Sequence, residues 1–453
     1  MSGIDQRQYR LIVGLGTTGL SCARHFGRQA VAFRVTDSRT EPPGLAALRT
    51  EFPEVVIELG GFQRASFLDA QELVVSPGVS LRTAEIAEAM AAGVPVTGDI
   101  DIFSKLVKGP VVAVTGSNGK STVVSLVAEI LRQAGRQVGL GGNLDGLSSR
   151  PALDLLQDAP ADAYVLELSS FQLETTQQLG AEVAAILNLS EDHMDRYEDL
   201  QQYLAAKQRI FNGAFNIVFN RDDAKTRPPG KPVGRVSSFG LSVPEADAFG
   251  LDTVNGRAML MYGDEAIVAQ EELKIFGDHN TANALAAAAI GHLAGAGLED
   301  IARALVAFPG LPNRCQWVAN VSGVEYYNDS KGTNVGASAA ALAGLGRKVG
   351  GRVVLIAGGV GKGADFKPLG PVLARYARAM ILLGRDADRI AAATGDSTPI
   401  RFAGDMEDAV RQAQAAARPG DAVLLSPACA SFDMFRDFQH RGEVFTSIVR
   451  SLS

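Results

Sequence analysis

Short β-branched runs alternate with helical apolar patterns along most of the chain, and this alternation limits its fold more than any other feature. The runs are Leu11–Val13, Val31–Val35, Val111–Thr115, Tyr164–Leu168, Ala184–Leu189, Val353–Ala357, Met380–Leu383 and Ala422–Leu425. A helical crossover returns the chain in the same direction, so the pattern predicts an α/β fold with mostly parallel sheets. A length of 453 residues, at roughly 150 per domain, calls for about three cores. Proline and glycine interrupt the pattern at Lys108-Gly109-Pro110 and Pro309-Gly310-Leu311-Pro312, each ahead of a new strand signal. The expected domains are therefore 1–108, 109–311 and 312–453. The polar stretch 221–236 reads as loops, and 237–272 has strand-like pieces with too weak a period to assign.

Two glycine loops sit where strands meet helices. Gly14-Leu15-Gly16-Thr17-Thr18-Gly19 opens a helix, and Asp37 closes the next strand, at the spacing of a dinucleotide-binding fingerprint. Its physical basis is a tight turn and a helix N-terminus whose unpaired N–H groups attract a diphosphate. The alternative is a glycine turn that only lets helix and strand pack closely. A further strand-loop, Val74-Val75-Ser76-Pro77-Gly78, could approach the same ligand.

The sharper motif is Val111 to Thr122: an apolar strand, the loop Gly116-Ser117-Asn118-Gly119, then Lys120-Ser121-Thr122 opening a helix. Loop N–H groups can wrap a phosphate, Lys120 can reach the β/γ-phosphates, and the Ser121 hydroxyl can face Mg²⁺. Val114 stands where the usual phosphate loop begins with glycine. Val123, Val127, Ile130 and Ala134 mark the helix's apolar face, and Gly135 stands at its C-terminal end.

Glu167 ends a buried-looking strand, where a carboxylate needs a partner: either nucleotide-bound Mg²⁺ or a nearby Lys or Arg. The strand from Ala184 delivers Asn188, Glu191, Asp192, His193 and Asp195 at its C-terminal end, where open α/β sheets place ligands. His193 there is either structural or a metal or substrate contact. Lys207 falls on the apolar stripe of Leu200, Tyr203, Leu204 and Phe211. It either snorkels to solvent or is desolvated, and a desolvated lysine is a neutral, nucleophilic amine open to modification.

Forty-three basic against fifty acidic residues leave a net charge of −7, so no overall field attracts nucleic acid or anionic lipid. With 46% hydrophobic and 21% charged residues, the chain is expected to be globular rather than disordered. Cys22, Cys315 and Cys429 lie far apart without metal-site spacing. The N-terminal ten residues lack the order of a secretory signal, and the most apolar stretch, Ala282–Leu298, is mostly alanine broken by Gly291 and His292. A mature cytoplasmic chain without membrane insertion is expected.

Taken together, these residues resemble the Mur ligases, in the branch that adds D-glutamate to UDP-N-acetylmuramoyl-L-alanine. The resemblance covers nearly the whole chain. Its carriers are GLGTTGLS at 14–21, SPG at 76–78, TGSNGKST at 115–122, GGN at 141–143, LELSSFQLE at 166–174, EDHMDRY at 191–197 and AAK at 205–207. Further on come GDHNTANALAA at 277–287, LPNR at 311–314, NDSKGTN at 328–334, GKGADF at 361–366 and SPACASFDMF at 426–435. The family's phosphate loop has the shorter TGxNGK[ST] form, which accounts for Val114.

The resemblance implies an N-terminal Rossmann-like UDP-binding domain, a central P-loop ATPase-type domain and a C-terminal Rossmann-like domain that binds D-glutamate. Gly14, Gly16, Thr17, Thr18, Gly19, Asp37, Ser38, Arg39 and Gly78 match nucleotide-sugar contacts. Asn143, Gln172 and His193 match contacts to the muramoyl-alanine part or to metal. Gly116, Ser117, Asn118, Gly119, Lys120, Ser121, Thr122, Asn280, Arg314 and Asp329 match ATP contacts. Ser121, Glu167, His193 and Lys207 are the implied metal set, with two Mg²⁺ ions and a CO2-derived carbamate on Lys207. Lys120, His193 and Lys207 are the implied catalytic groups. Thr333, Lys362, Ser431, Phe432 and Phe438 match the D-glutamate pocket, with Phe432 standing where the family carries leucine. The implied partners are UDP-N-acetylmuramoyl-L-alanine, D-glutamate and ATP, with the protein acting as a monomer.

Three rival readings remain open on the residues. An NAD-linked oxidoreductase draws support from the first glycine loop and from Gly358 to Gly363, but leaves the loop at 116–122 without a role. A sibling ligase adding a diamino acid, or a folylpolyglutamate synthase, lies nearer, although no DNPR-type signature is present. The third is a nucleotide-binding module without catalysis.

Overall fold

A computed structural model describes residues 9–144, 150–230, 232–275, 277–395 and 398–452; most of the N-terminal stretch discussed above therefore lies outside it. The described strands form three sheets.

The first sheet is wholly parallel, with strands in the order Ile57–Leu59, Phe33–Asp37, Arg10–Val13, Glu72–Val75 and Val96–Thr97. Arg10–Val13 pairs with Phe33–Asp37 on one side and Glu72–Val75 on the other, so the strand order reverses beside it. A crevice opens at such a switch point, and the glycine loop 14–19 leaves the strand there.

In the second sheet, the strand Val111–Thr115 lies between Ala163–Glu167 and Val183–Ile186, both parallel to it. Val114 is level with Glu167 and Thr115 with Ile186, which puts the phosphate loop between two strand ends that carry polar residues. The strand signal drawn to Leu189 ends at Ile186, because the backbone beyond it turns to meet the loop: Ser117 N donates to Asn188 O at 3.0 Å.

The stretch left unassigned, 237–272, continues this sheet. Phe249–Val254, Arg257–Tyr262 and Glu265–Ala269 form an antiparallel meander at its edge, with a register shift between Leu260 and Met261. Only part of each strand is buried, so no period-two pattern survives in the sequence.

The third sheet runs Gln316–Val321, Val324–Asn328, Ala422–Leu425, Val353–Gly358, Ala377–Leu383 and Ile400–Phe402, with only the first pair antiparallel. The loops after Val353–Gly358 and Ala422–Leu425 leave adjacent strands and are knit together: Val360 N and Ala430 N each donate to the other residue's carbonyl at 2.9 Å.

The domains are joined in two different ways. A single apolar cluster runs from Ile12, Val35 and Phe103 in the first domain to Val111, Tyr164 and Ile210 in the second. The third domain meets the second through polar contacts over the phosphate loop. Arg314 donates to Ser121 Oγ at 2.7 Å, Asn334 Nδ2 to Asn118 Oδ1 at 2.9 Å, and Lys362 Nζ to Asp192 Oδ1 at 2.7 Å. A shared core holds two bodies in one orientation, whereas a polar interface permits relative movement. Among the described residues, no helix is long and apolar enough to cross a membrane.

Candidate functional site

The phosphate loop turns on Gly116 and Gly119, whose φ values of +156° and +84° favour glycine. A Cβ at Gly119 would stand 2.2 Å from Asn283 Oδ1, so the helix Asp278–Leu293 can close on the loop only because that side chain is absent. Asn188 holds the loop from below, its Oδ1 accepting from Asn118 N at 2.8 Å and its Nδ2 donating to Asn118 O at 3.0 Å. Lys120 Nζ bends back over the loop to the carbonyls of Gly116 and Ser117, at 3.0 and 3.1 Å.

A cavity of about 350 Å³ lies beside this loop, lined by Asn118, Gly119, Thr122, Asn280, Arg314 and Asp329 among others. Six residues matched to ATP therefore meet there, although they come from two domains. Gly116, Ser117, Lys120 and Ser121 do not line it; Lys120 and Ser121 stand at the start of the next helix, toward Glu167. Burial pushes the Asp329 carboxyl up to about 6, against the hydrogen bonds it accepts from Ser426 Oγ and Cys315 N. Sequence reasoning overlooked Asn283. It lies three residues after Asn280, on the same helix face, and donates to Asn280 Oδ1 at 3.2 Å.

Glu167 is 2% exposed and accepts from Ser121 Oγ at 2.6 Å and from Asn143 Nδ2 at 3.3 Å. Among the described residues no Lys or Arg hydrogen-bonds Glu167, whose partners are a hydroxyl and an amide, although Lys207 is near enough to feel its charge. A carboxylate and a hydroxyl at this separation are hard oxygen donors, which suits Mg²⁺ shared with nucleotide phosphates. Among the described residues, no three His, Cys, Asp or Glu side chains gather into a metal cluster, so the protein's own donors would complete a site only with ligand oxygens. His193 lies edge-on to Phe171 with ring centroids 4.8 Å apart, and takes a positive φ of +57°. Burial lowers the His193 pKa against the opposing charge of Asp192, which favours the neutral imidazole.

Lys207 does not snorkel. It is 1% exposed, donates to Gly116 O at 3.0 Å and Thr115 Oγ1 at 3.3 Å, and lies 4.6 Å from the Tyr203 ring centroid. Burial, reinforced by the Lys120 charge, holds its pKa well below the ordinary lysine value. Burial thus favours the neutral amine beneath the phosphate loop over the ammonium.

A second cavity, of about 580 Å³, lies between the first and second domains. It is lined by Gly14, Gly16, Thr17, Thr18, Asp37, Ser38, Arg39, Gly78, Asn143 and Gln172, together with Asp99, which sequence reasoning did not single out. Asp37 Oδ2 accepts from Leu15 N at 2.7 Å, and both its oxygens accept from Arg39, so it shapes the glycine loop as well as lining the cavity. Gly19 is set apart from this lining. A Cβ there would come 2.0 Å from Gly14 O, so its role is the close packing of helix on strand. His193 is also outside this lining.

The residues matched to D-glutamate come together less closely. Lys362, at φ +50°, points across the domain interface to Asp192, and Ser431 is buried in the neighbouring loop. Phe438 lies under Lys331 at 4.0 Å, and Thr333 N donates to Lys331 O. Phe432 is 75% exposed and encloses nothing in this arrangement. Burial would raise the Asp192 pKa, but the charges of Lys362, His193 and Lys120 hold it below the usual carboxylate range.

The chain matches three family descriptions: "Mur ligase MurD-like, N-terminal domain" over residues 8–98, "Mur ligase middle domain" over 114–291 and "Mur ligase, glutamate ligase domain" over 313–429. It is 51% identical over 456 aligned residues to the UDP-N-acetylmuramoylalanine–D-glutamate ligase of Pseudomonas fluorescens, and 50% identical over 453 to that of Pseudomonas aeruginosa, each alignment covering 100% of both chains. Among solved structures it resembles the MurF ligase of Thermotoga maritima in complex with ADP, with a TM-score of 0.62 at 15% identity, over 99% of this chain and 100% of that one. At that identity the likeness is one of fold.

Proposed function

The chain belongs to the Mur ligase family, and we propose that it joins D-glutamate to the alanyl carboxylate of UDP-N-acetylmuramoyl-L-alanine with hydrolysis of ATP to ADP and phosphate, a step of peptidoglycan precursor synthesis. The observation that carries this reading is the phosphate loop, with Lys120 and Ser121 flanked by Glu167 and a buried Lys207, beside two cavities of separate composition. An NAD-linked reaction would give that loop no task. Domain limits of 1–108, 109–311 and 312–453, a cytoplasmic setting and a monomeric state belong to the same proposal.

In this reading ATP occupies the cavity beside Asn118, with Asn280 on the adenine side and Arg314 and Asp329 near ribose and phosphates. The nucleotide sugar occupies the cavity of the first glycine loop, its diphosphate at the N-terminus of the helix Thr17–Arg28. The alanyl carboxylate attacks the γ-phosphorus, ADP departs, and an acyl phosphate results. Lys120 and the loop N–H groups offset charge repulsion between the two anions. Ser121, Glu167, His193 and a carbamylated Lys207 would hold Mg²⁺, which would supply further charge neutralisation at the phosphates. Carbamylation bonds the neutral Lys207 nitrogen to the carbon of CO2 with loss of a proton, exchanging a buried amine for a carboxylate-like group.

The D-glutamate amine then attacks the acyl carbonyl, and phosphate leaves from the tetrahedral intermediate. Lys362 carries three N–H donors, of which Asp192 takes one among the described residues, leaving donors for a glutamate carboxylate. Ser431 and Thr333 would take its other oxygens. When it is not engaged by Mg²⁺, His193, favoured as the neutral imidazole, is our candidate to receive the amine proton. Closure of the third domain over ATP would exclude water from the acyl phosphate.

Lys362→Ala is expected to raise the KM for D-glutamate roughly tenfold or more while leaving that for ATP within about twofold. Steady-state kinetics on both substrates checks this, and a defect confined to ATP would remove Lys362 from the glutamate pocket. The function as a whole is tested by phosphate release with UDP-N-acetylmuramoyl-L-alanine and each of D-glutamate, L-glutamate, L-lysine and meso-diaminopimelate. Release with D-glutamate alone is expected; equal or greater release with another amino acid would reassign the enzyme.

A further inference from the structure

The cavity between the first two domains contains a carboxylate that none of the roles above uses. Asp99 opens the helix Asp99–Leu106 and is 2% exposed. Its neighbour Gly98 lies so close to the second domain that a Cβ there would stand 2.1 Å from Thr175 Oγ1, and this approach delivers Asp99 to Gln172. Asp99 Oδ2 accepts from Gln172 Nε2 at 3.2 Å. Asp99 Oδ1 is buried, and among the described residues no side chain donates to it and no cation pairs with the carboxylate, whose remaining support comes from the backbone amides of Asp99 and Ile100 at the helix start. An unmatched buried carboxylate oxygen is costly, and such groups are retained where a ligand completes them.

The far side of Gln172 explains why this oxygen has a fixed direction. Gln172 is the third residue of a capping box: its Oε1 accepts from Ser169 N at 3.1 Å, and Ser169 Oγ accepts from Gln172 N at 3.1 Å. The glutamine amide is thereby held with its Nε2 toward Asp99, and Asp99 is held in turn. Both side chains line the same cavity as the glycine loop.

We propose that Asp99 is a recognition residue of this cavity, its free oxygen accepting a hydrogen bond from an O–H or N–H of the N-acylated sugar portion of the nucleotide sugar. The inference rests on reading the cavity as the nucleotide sugar's. A diphosphate cannot share the oxygen, because like charges repel, whereas sugar hydroxyls and amide N–H groups are neutral donors. The same oxygen disfavours ligands that present an anion or a bare acceptor at that point, so Asp99 contributes selectivity as well as affinity. Burial pushes its carboxyl up to about 6, which leaves the ionised, accepting form predominant above neutral pH.

Asp99→Asn keeps the shape and can keep an acceptor toward Gln172 Nε2, but only by turning its own NH2 into the cavity, where donor would face donor. Titration calorimetry of UDP-N-acetylmuramoyl-L-alanine and of UDP, on wild-type protein and variant at pH 8, separates the possibilities. The expected result is a roughly ten- to hundredfold loss of affinity for the nucleotide sugar with UDP affinity changed by less than about twofold. UDP binding serves as the control for an intact cavity, and Asp99→Ala gives the same ratio should the asparagine variant fold poorly. Unchanged affinity for both ligands, or an equal loss of both, would overturn the proposal. Wild-type protein that failed to bind the nucleotide sugar would overturn the reading of the cavity itself.

Discussion

Lys120→Ala is expected to lower ATP turnover by roughly a thousandfold or more, because the lysine is the one cation the phosphate loop supplies from its own sequence and, in the proposed reaction, it faces the charge that accumulates during phosphoryl transfer. Among the described residues its Nζ donates to the carbonyls of Gly116 and Ser117, acceptors whose place incoming phosphate oxygens can take. Loss of these two hydrogen bonds costs the folded state little beyond about 1–3 kcal/mol, since both are partly buried and Asn188 independently holds the loop. Turnover and thermal unfolding measured together distinguish the cases. A stable variant with full activity would reject the assignment of this loop to ATP.

The second large effect is expected at Lys207. Lys207→Ala removes a buried amine and, with it, the proposed carbamate; activity should fall roughly a hundredfold or more. Because the alanine leaves a void near the carbonyl of Gly116, a small carboxylate such as acetate should enter and restore part of the lost rate in a concentration-dependent way. Chloride at equal ionic strength should restore none. An ordinary buried structural lysine predicts a different outcome: loss of stability, with no carboxylate rescue. A variant indifferent to both substitution and acetate would remove the carbamate from the account.

How much of this was legible in the sequence depends on how local the chemistry is. The phosphate loop reads directly because strand, turn and helix are contiguous, and its glycines are required by backbone angles within the motif itself. Lys207 was legible as a cation out of place on an apolar stripe, although periodicity alone could not separate burial from snorkelling. The register that levels Val114 with Glu167 then carries the argument further than sequence could, by placing Ser121 against that carboxylate.

The less legible residues depend on distant parts of the chain. Asp99 looks like an ordinary acidic start to a helix, and nothing local shows that Gly98 will pack against Thr175 and set this buried carboxylate in the wall of a cavity. Gly19 shows the opposite problem, since its motif suggests a ligand contact whereas its surroundings make it a packing residue. The meander at 249–269 was obscured because its edge strands are only partly buried and its register shifts at Leu260. In the D-glutamate group, the exposed Phe432 was placed by family pattern alone, and no packing in the present arrangement draws it to Lys362.

The central claim is that carboxylate and ATP react to give an acyl phosphate before the amide bond forms. Oxygen-18 in both alanyl carboxylate oxygens of UDP-N-acetylmuramoyl-L-alanine tests it directly, with mass spectrometry of the phosphate released during D-glutamate addition. Attack of the carboxylate on the γ-phosphorus predicts one labelled oxygen in each phosphate and one retained in the new amide. Unlabelled phosphate, formed at the same rate as the amide product, would contradict the account.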